Sequence, residues 1–198
     1  FEYHDAAKLN AYERVNPYAL RLAVSPHLAA RNAGVNIELP RIQQQFALLA
    51  ADADLVIVEG AGGWHAPICD SATLDHGTMA DIATALGLPV LLVVGIRLGC
   101  LNHALLTAES IGRSHLPLAG WVANQIDPAF DAADANVQLL SHRLGAPPLL
   151  QLHNPGTNLP DHAHPVPAAL RPPTRPSGRA APTRHSGSIA ACRQRPEG

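Results

Sequence analysis

A carboxylate stands directly before a run of glycines in Asp54-Leu-Val-Ile-Val-Glu59-Gly-Ala-Gly-Gly63-Trp64. A charged side chain at the tip of a buried strand is costly unless it is solvated, paired or bound to a cation. Gly60, Gly62 and Gly63 lack Cβ atoms, so the turn is free to take positive φ and bring backbone N–H groups close to a ligand. A carboxylate beside exposed amides is what a magnesium–phosphate site requires. An acidic strand end followed by an ordinary turn is the plainer alternative.

Two further stretches carry polar groups in useful places. Gly95-Ile-Arg-Leu-Gly-Cys-Leu-Asn-His103 leads from an apolar run into a helix whose first N–H groups and dipole offer an anion site. Asn102 there is either a helix cap or a ligand contact. Gly120-Trp-Val-Ala-Asn124 closes another apolar run with an amide that both donates and accepts, which suits the edge of an adenine ring or a simple turn. Asp161-His-Ala-His164 invites a metal reading, but no further ligand cluster accompanies it, and a solvated loop is the expectation.

The elements that must position these groups alternate in type. A short helix opens near Leu28 and ends at Gly34, and Pro40 starts a helix through Arg41 to Ala51. The strand 54–59 follows, then a loop from Pro67 to Thr78, a helix from Met79 to Leu86 and a C-cap at Gly87. Pro89 to Val94 is a second strand, Cys100 to Ile111 a helix, Leu118 to Ala123 a third strand, Ala132 to Leu144 a helix and Leu149 to Leu152 a fourth strand. Strands apolar throughout, alternating with amphipathic helices, predict an α/β fold with a parallel sheet covered on both faces. Glu59, Gly95 and Asn124 are then expected at or just past strand ends, on the edge where open α/β sheets bind ligands.

The 198 residues are 47% hydrophobic with a net charge of −2, enough for one globular core. That total hides an asymmetry. Residues 1–161 hold fifteen Asp/Glu against one Lys and seven Arg, a net −7, whereas residues 162–198 hold six Arg and one Glu, a net +5. The domain is therefore read as 1–160, followed by a disordered, basic Pro/Arg-rich tail over 161–198. The acidic body offers no basic face for DNA, so no nucleic-acid partner is expected. No basic–apolar–small leader is seen, and the longest apolar run is too short to span a bilayer. Cys69, Cys100 and Cys192 have no CxxC pairing and fit reduced thiols of a cytoplasmic protein.

Six stretches then carry a family likeness: Val15-Asn-Pro-Tyr-Ala, Ser25-Pro-His-Leu-Ala-Ala, Val58-Glu-Gly-Ala-Gly-Gly-Trp, Leu88-Pro-Val-Leu-Leu-Val-Val-Gly, Leu98-Gly-Cys-Leu-Asn-His-Ala-Leu-Leu-Thr-Ala and Ala119-Gly-Trp-Val-Ala-Asn. In this order, over residues 15–124, the chain resembles the dethiobiotin synthetase family, ATP-dependent carboligases of biotin synthesis. The resemblance implies a P-loop NTPase-like α/β homodimer using ATP and Mg2+. In that family 7,8-diaminononanoate is carbamated by CO2, the carbamate is phosphorylated and the second amine closes the ureido ring. By match, Glu59 is a magnesium ligand, and Gly60, Ala61 and Gly62 line the phosphates and the carbamate. Asn124 and Gln125 read adenine. Cys100, Leu101 and Asn102 hold the substrate carboxylate across the dimer interface, and Asp5 matches a second magnesium-binding aspartate.

The departures are equally specific. The family opens with a strand and a P-loop carrying a lysine and a threonine, and a second lysine follows. This chain has one lysine, Lys8, with no glycine before it, so the first strand and P-loop are missing and a fragment is expected. The loop Ser71 to Thr78 is longer than the usual connection, and Gln151-Leu-His-Asn-Pro-Gly-Thr aligns poorly with the family's adenine-packing loop. A partitioning-type ATPase switch, or a non-catalytic dimerising remnant, remains as the alternative reading of the same architecture.

Overall fold

The computed structural model describes residues 12–69 and 77–153. They fall into two compact units, the first ending at Leu86 and the second beginning at Gly87.

Among the described residues, the first unit holds a helical turn at 12–15 and the helices α1 (Pro26–Ala33), α2 (Leu39–Asp52) and α3 (Met79–Leu86). Pro26 opens α1, because a missing N–H costs nothing in a first turn, and Gly34 closes it at φ 66°. Pro40 does the same for α2, as expected. The Asn16-Pro17-Tyr18 turn anchors that helix start: Glu38 N–H donates to the Tyr18 hydroxyl at 2.9 Å, and the Arg41 guanidinium lies 4.9 Å over the Tyr18 ring. Helices α2 and α3 pack together, with Gln43 Nε2 donating to Ala85 O at 2.8 Å.

The strand expected over 54–59 is not formed. Residues 55–59 run without helix or ladder. Their alternation survives: Val56 and Val58 turn into an apolar recess with Ile42, Phe46, Leu49 and Leu86, while Leu55 and Ile57 stay 47% and 66% exposed. Alternation fixes which side chains point inward, but a strand also needs a neighbour to accept its ladder bonds, and among the described residues this segment has none.

The second unit is a three-stranded parallel sheet. Strand β1 (Val90–Ile96) pairs with β2 (Leu118–Gln125), and β2 pairs with β3 (Leu150–His153). Helix α4 (Cys100–Arg113) joins β1 to β2, and α5 (Ala133–Leu144) joins β2 to β3. Strand order follows chain order, so crossovers of one hand bring both helices to one face. The core lies there: Val94 and Ile96 of β1, Trp121 and Ala123 of β2, Cys100 and Ala104 of α4, and Ala133, Val137 and Leu140 of α5. Trp121 is 1% exposed, and its indole N–H donates to Ala146 O at 3.0 Å. A large ring is buried without stranding its one donor.

Among the described residues the cover on both faces, expected from the apolar runs, is incomplete at β1. On the face of β1 away from the helices Leu91 and Val93 are 37% and 58% exposed. Composition alone cannot tell a strand buried on two sides from one buried on a single side.

Candidate functional site

In the first unit the glycine turn is wedged between two helix starts. Gly62 and Gly63 take φ of 82° and 103°, the left-handed conformation the sequence suggested, whereas Gly60 does not. A Cβ on Gly62 would stand 3.0 Å from Ala66 Cβ and 3.7 Å from Pro26 Cδ, so glycine is required there for space as well as for φ. Backbone bonds pin the residues beyond the turn: Ala66 N–H to Gly63 O, Met79 N–H to Ala66 O at 3.0 Å, Ala80 N–H to Trp64 O at 2.8 Å and Ile68 N–H to Gly77 O at 2.7 Å. From the other side His27 N–H donates to Pro67 O at 3.2 Å. The start of α3 is clasped by its own acid, since Asp81 Oδ2 accepts from Gly77 N–H, Thr78 N–H and the Thr78 hydroxyl at 2.9, 2.8 and 2.7 Å. That helix terminus is filled from within.

Glu59 stands exposed at the head of this pinned turn, with Gly60 and Ala61 beside it. Among the described residues no group of three or more His, Cys, Asp or Glu gathers to hold a metal ion. A single carboxylate beside backbone amides does not make an all-protein cage. It fits Mg2+, which keeps its waters and takes one or two carboxylates together with substrate phosphates.

In the second unit the site residues occupy the last rungs of the sheet. The strands run further than expected, so Gly95 and Asn124 lie inside β1 and β2 rather than past their ends, and they are register partners. Asn124 pairs on its other side with Leu152, and the final rung is Ile96, Gln125 and His153. Successive residues alternate faces, so Asn124 and Gln125 point to opposite sides of the sheet. Asn124 Oδ1 is buried and has no hydrogen-bond partner among the described residues. Gln125 is tied locally: its Nε2 donates to Asp127 O at 3.4 Å, and its Oε1 lies 3.3 Å from His153 Nδ1. Gly95 leaves room beside Asn124 that a Cβ would take, 3.0 Å from Ile126 Cδ1.

An open groove of about 210 Å³ runs from this rung to α4, bordered by Gly95, Arg97, Cys100, His103, Thr107 and Ile126. Gly99, at φ 89°, is the residue that caps α4. Asn102 is not the cap; it lies in the first turn with its side chain exposed. The Cys100 side chain is 2% exposed and accepts from Asn136 Nδ2 at 3.5 Å, while its N–H bonds to Arg97 O at 3.1 Å. Leu101 packs half-buried against the core. What this turn can offer an anion is therefore the Asn102 carboxamide and backbone amides, not the thiol.

Asp5, the Asp161–His164 cluster, the 161–198 tail and most of the loop 71–78 lie outside the described residues. Ser25 with His27, Gln125 with His153 and Asn136 with Cys100 are side-chain pairs near the site that local sequence pattern does not announce. The first leaves only a Ser-x-His spacing, and the second pairs residues 28 apart, which only the β2–β3 register brings together.

Comparison with known proteins agrees with this architecture. A protein of Aromatoleum aromaticum named ATP-dependent dethiobiotin synthetase BioD is 50% identical over 150 residues, covering 72% of this chain and 64% of that protein. A protein of the same name from Pseudomonas aeruginosa is 51% identical over 138 residues, covering 69% of this chain and 58% of its own length. Another, from Xanthomonas oryzae pv. oryzae, is 50% identical over 137 residues, with 69% and 59% covered. This chain thus spans 58–64% of the length of these relatives. Residues 4–155 match an AAA domain family, and the chain belongs to that family.

Proposed function

We propose that the protein acts as an ATP- and Mg2+-dependent carboligase, closing the ureido ring of dethiobiotin from 7,8-diaminononanoate and CO2 as a cytoplasmic homodimer. The name shared by its relatives supports this reading. The observation that carries it is Asn124. A buried carboxamide oxygen without a partner among the described residues, at the carboxyl end of a parallel sheet, is costly unless a donor such as a ligand's reaches it. The exocyclic amine of adenine is such a donor.

Glu59 would hold Mg2+ against the nucleotide phosphates, and the amides of Gly60, Ala61 and Gly62 would face those phosphates and the carbamate. Magnesium, when bound, supplies charge neutralisation at the transferred group. Asp5 is assigned to the same ion by its match to the family. The first turn of α4, through Asn102 and the amides near Leu101, would take the carboxylate of the diamine, with Cys100 serving as its buried anchor. Gln125 would fix the chain beneath the base.

Phosphoryl transfer also needs cations around the phosphates. The one lysine here, Lys8, follows no glycine loop. Ring closure is therefore expected from the full reading frame and not from these 198 residues alone. The test measures dethiobiotin formed from 7,8-diaminononanoate, bicarbonate and ATP by protein made from the full frame. Absence of product there overturns the reading; equal product from the 198-residue chain overturns the role given to the missing cations.

A further inference from the structure

Ser25 holds the N-cap position of α1, yet its side chain does not cap that helix. The first turn has no need of it. Pro26 has no N–H, His27 N–H goes to Pro67 O, and the amides of Leu28 and Ala29 both reach Ser25 O, at 2.9 and 3.1 Å. The Ser25 hydroxyl instead lies 2.9 Å from His27 Nδ1. Serine at an N-cap ordinarily satisfies a helix amide, so its diversion to a histidine two residues on asks for another reason.

The reason lies in what this turn touches. Pro26, between the paired side chains, is the nearest α1 residue to Gly62, and His27 N–H holds Pro67 at the far end of the same loop. Glu59 heads that loop. The pair therefore locks the turn of α1 that meets this loop at two points, Gly62 and Pro67. We propose that Ser25 and His27 are positioning residues for the Glu59–Gly63 turn, setting the geometry in which its carboxylate and amides meet a metal–phosphate ligand. This rests on the proposed function for the identity of the ligand, but not for the coupling of the pair to the loop.

The experiment uses protein from the full reading frame, with variants Ser25→Ala, His27→Ala, the double variant and His27→Asn. The Asn amide takes the place of Nδ1. Mg2+ is titrated into the protein with ATP, and adenosine binding is measured as a control that needs neither metal nor phosphate. Residues that orient a metal ligand through a contact commonly change metal affinity ten-fold or more. Each alanine variant is expected to raise the Mg2+ half-saturation about ten-fold, with adenosine affinity and melting temperature held. The double variant should be no worse than either single one, because the two act as a unit, and His27→Asn should return most of the loss. Hydrogen exchange supplies an arm independent of the ligand: the Ala66, Ile68, Met79 and Ala80 amides should exchange faster in the alanine variants and those of α4 should not. Faster exchange in a protein that binds no Mg–ATP would sink the functional reading and keep the coupling. Unchanged exchange and unchanged Mg2+ dependence, additive effects, or a parallel loss of adenosine binding and melting temperature would each overturn the positioning role.

Discussion

Glu59 and Asn124 carry the proposed chemistry by different means. Glu59 is exposed, so its value comes from the charge it offers to a cation. Glu59→Gln keeps the shape and removes the charge. It is expected to abolish most turnover in the full-frame protein, by about a hundred-fold or more, with the Mg2+ requirement raised in isothermal titration; wild-type turnover would reduce Glu59 to a solvated residue. Asn124 is the reverse case, a neutral group whose buried oxygen lacks a partner among the described residues. Asn124→Ala deletes both the acceptor and its ligand bond, worth about 1 kcal/mol, or roughly five-fold in ATP affinity. Inorganic triphosphate affinity should not change. Equal loss for both ligands would show that the substitution disturbs the sheet and not base recognition. The residue types at both positions were legible in the sequence; that Asn124 and Gln125 face opposite ways, and that Gln125 is held by His153, depended on the register of β2 with β3.

Among the elements, β2 carries a glycine with little room for a side chain. Gly120 has φ 151°, and a Cβ there would lie 2.5 Å from Leu149 Cδ1. Leu149 N–H also bonds to Trp121 O at 2.8 Å, which holds its backbone in place, so relief of that contact has to come from the Leu149 side chain turning away. Gly120→Ala should therefore cost about 1–3 kcal/mol from overpacking, read as a lower denaturant midpoint with the slope kept. Unaltered stability would mean that Leu149 adjusts freely. Helix α4 makes a contrasting prediction. Because Gly99 does the capping, Asn102 is released from that duty, and Asn102→Ala should leave stability within about 0.5 kcal/mol. It should raise KM for the diamine several-fold more than KM for ATP. A comparable rise for both substrates, or loss of stability, would make Asn102 structural.

At the scale of the whole molecule the exposed apolar surface matters. Val93, 58% exposed, sits on β1, whose only ladder partner among the described residues is β2. An edge strand with apolar side chains invites association through its free backbone groups. Val93→Lys in the 198-residue chain should lower self-association at tens of micromolar, a concentration at which association is commonly seen, as measured by light scattering. An unchanged profile would place the association elsewhere, with Leu98, 83% exposed at the start of α4, the next site to substitute. The sequence by itself determined where α1 and α3 stop and where α2 starts, because Gly34, Gly87 and Pro40 act through local backbone sterics, whereas it put the start of α1 near Leu28 instead of Pro26 and offered Asn102 instead of Gly99 as the cap of α4. It also determined the apolar runs of the sheet and the carboxylate–glycine turn, whose chemistry lies in neighbouring residues. Only the tertiary structure decided that among the described residues 55–59 joins no ladder while β1, β2 and β3 form the sheet, that Leu91 and Val93 on one face of β1 are exposed, and that Ser25 turns from its helix to His27. Pairing, cover and side-chain partners depend on residues distant in sequence, and a local pattern states which groups seek a neighbour without saying which neighbour is within reach.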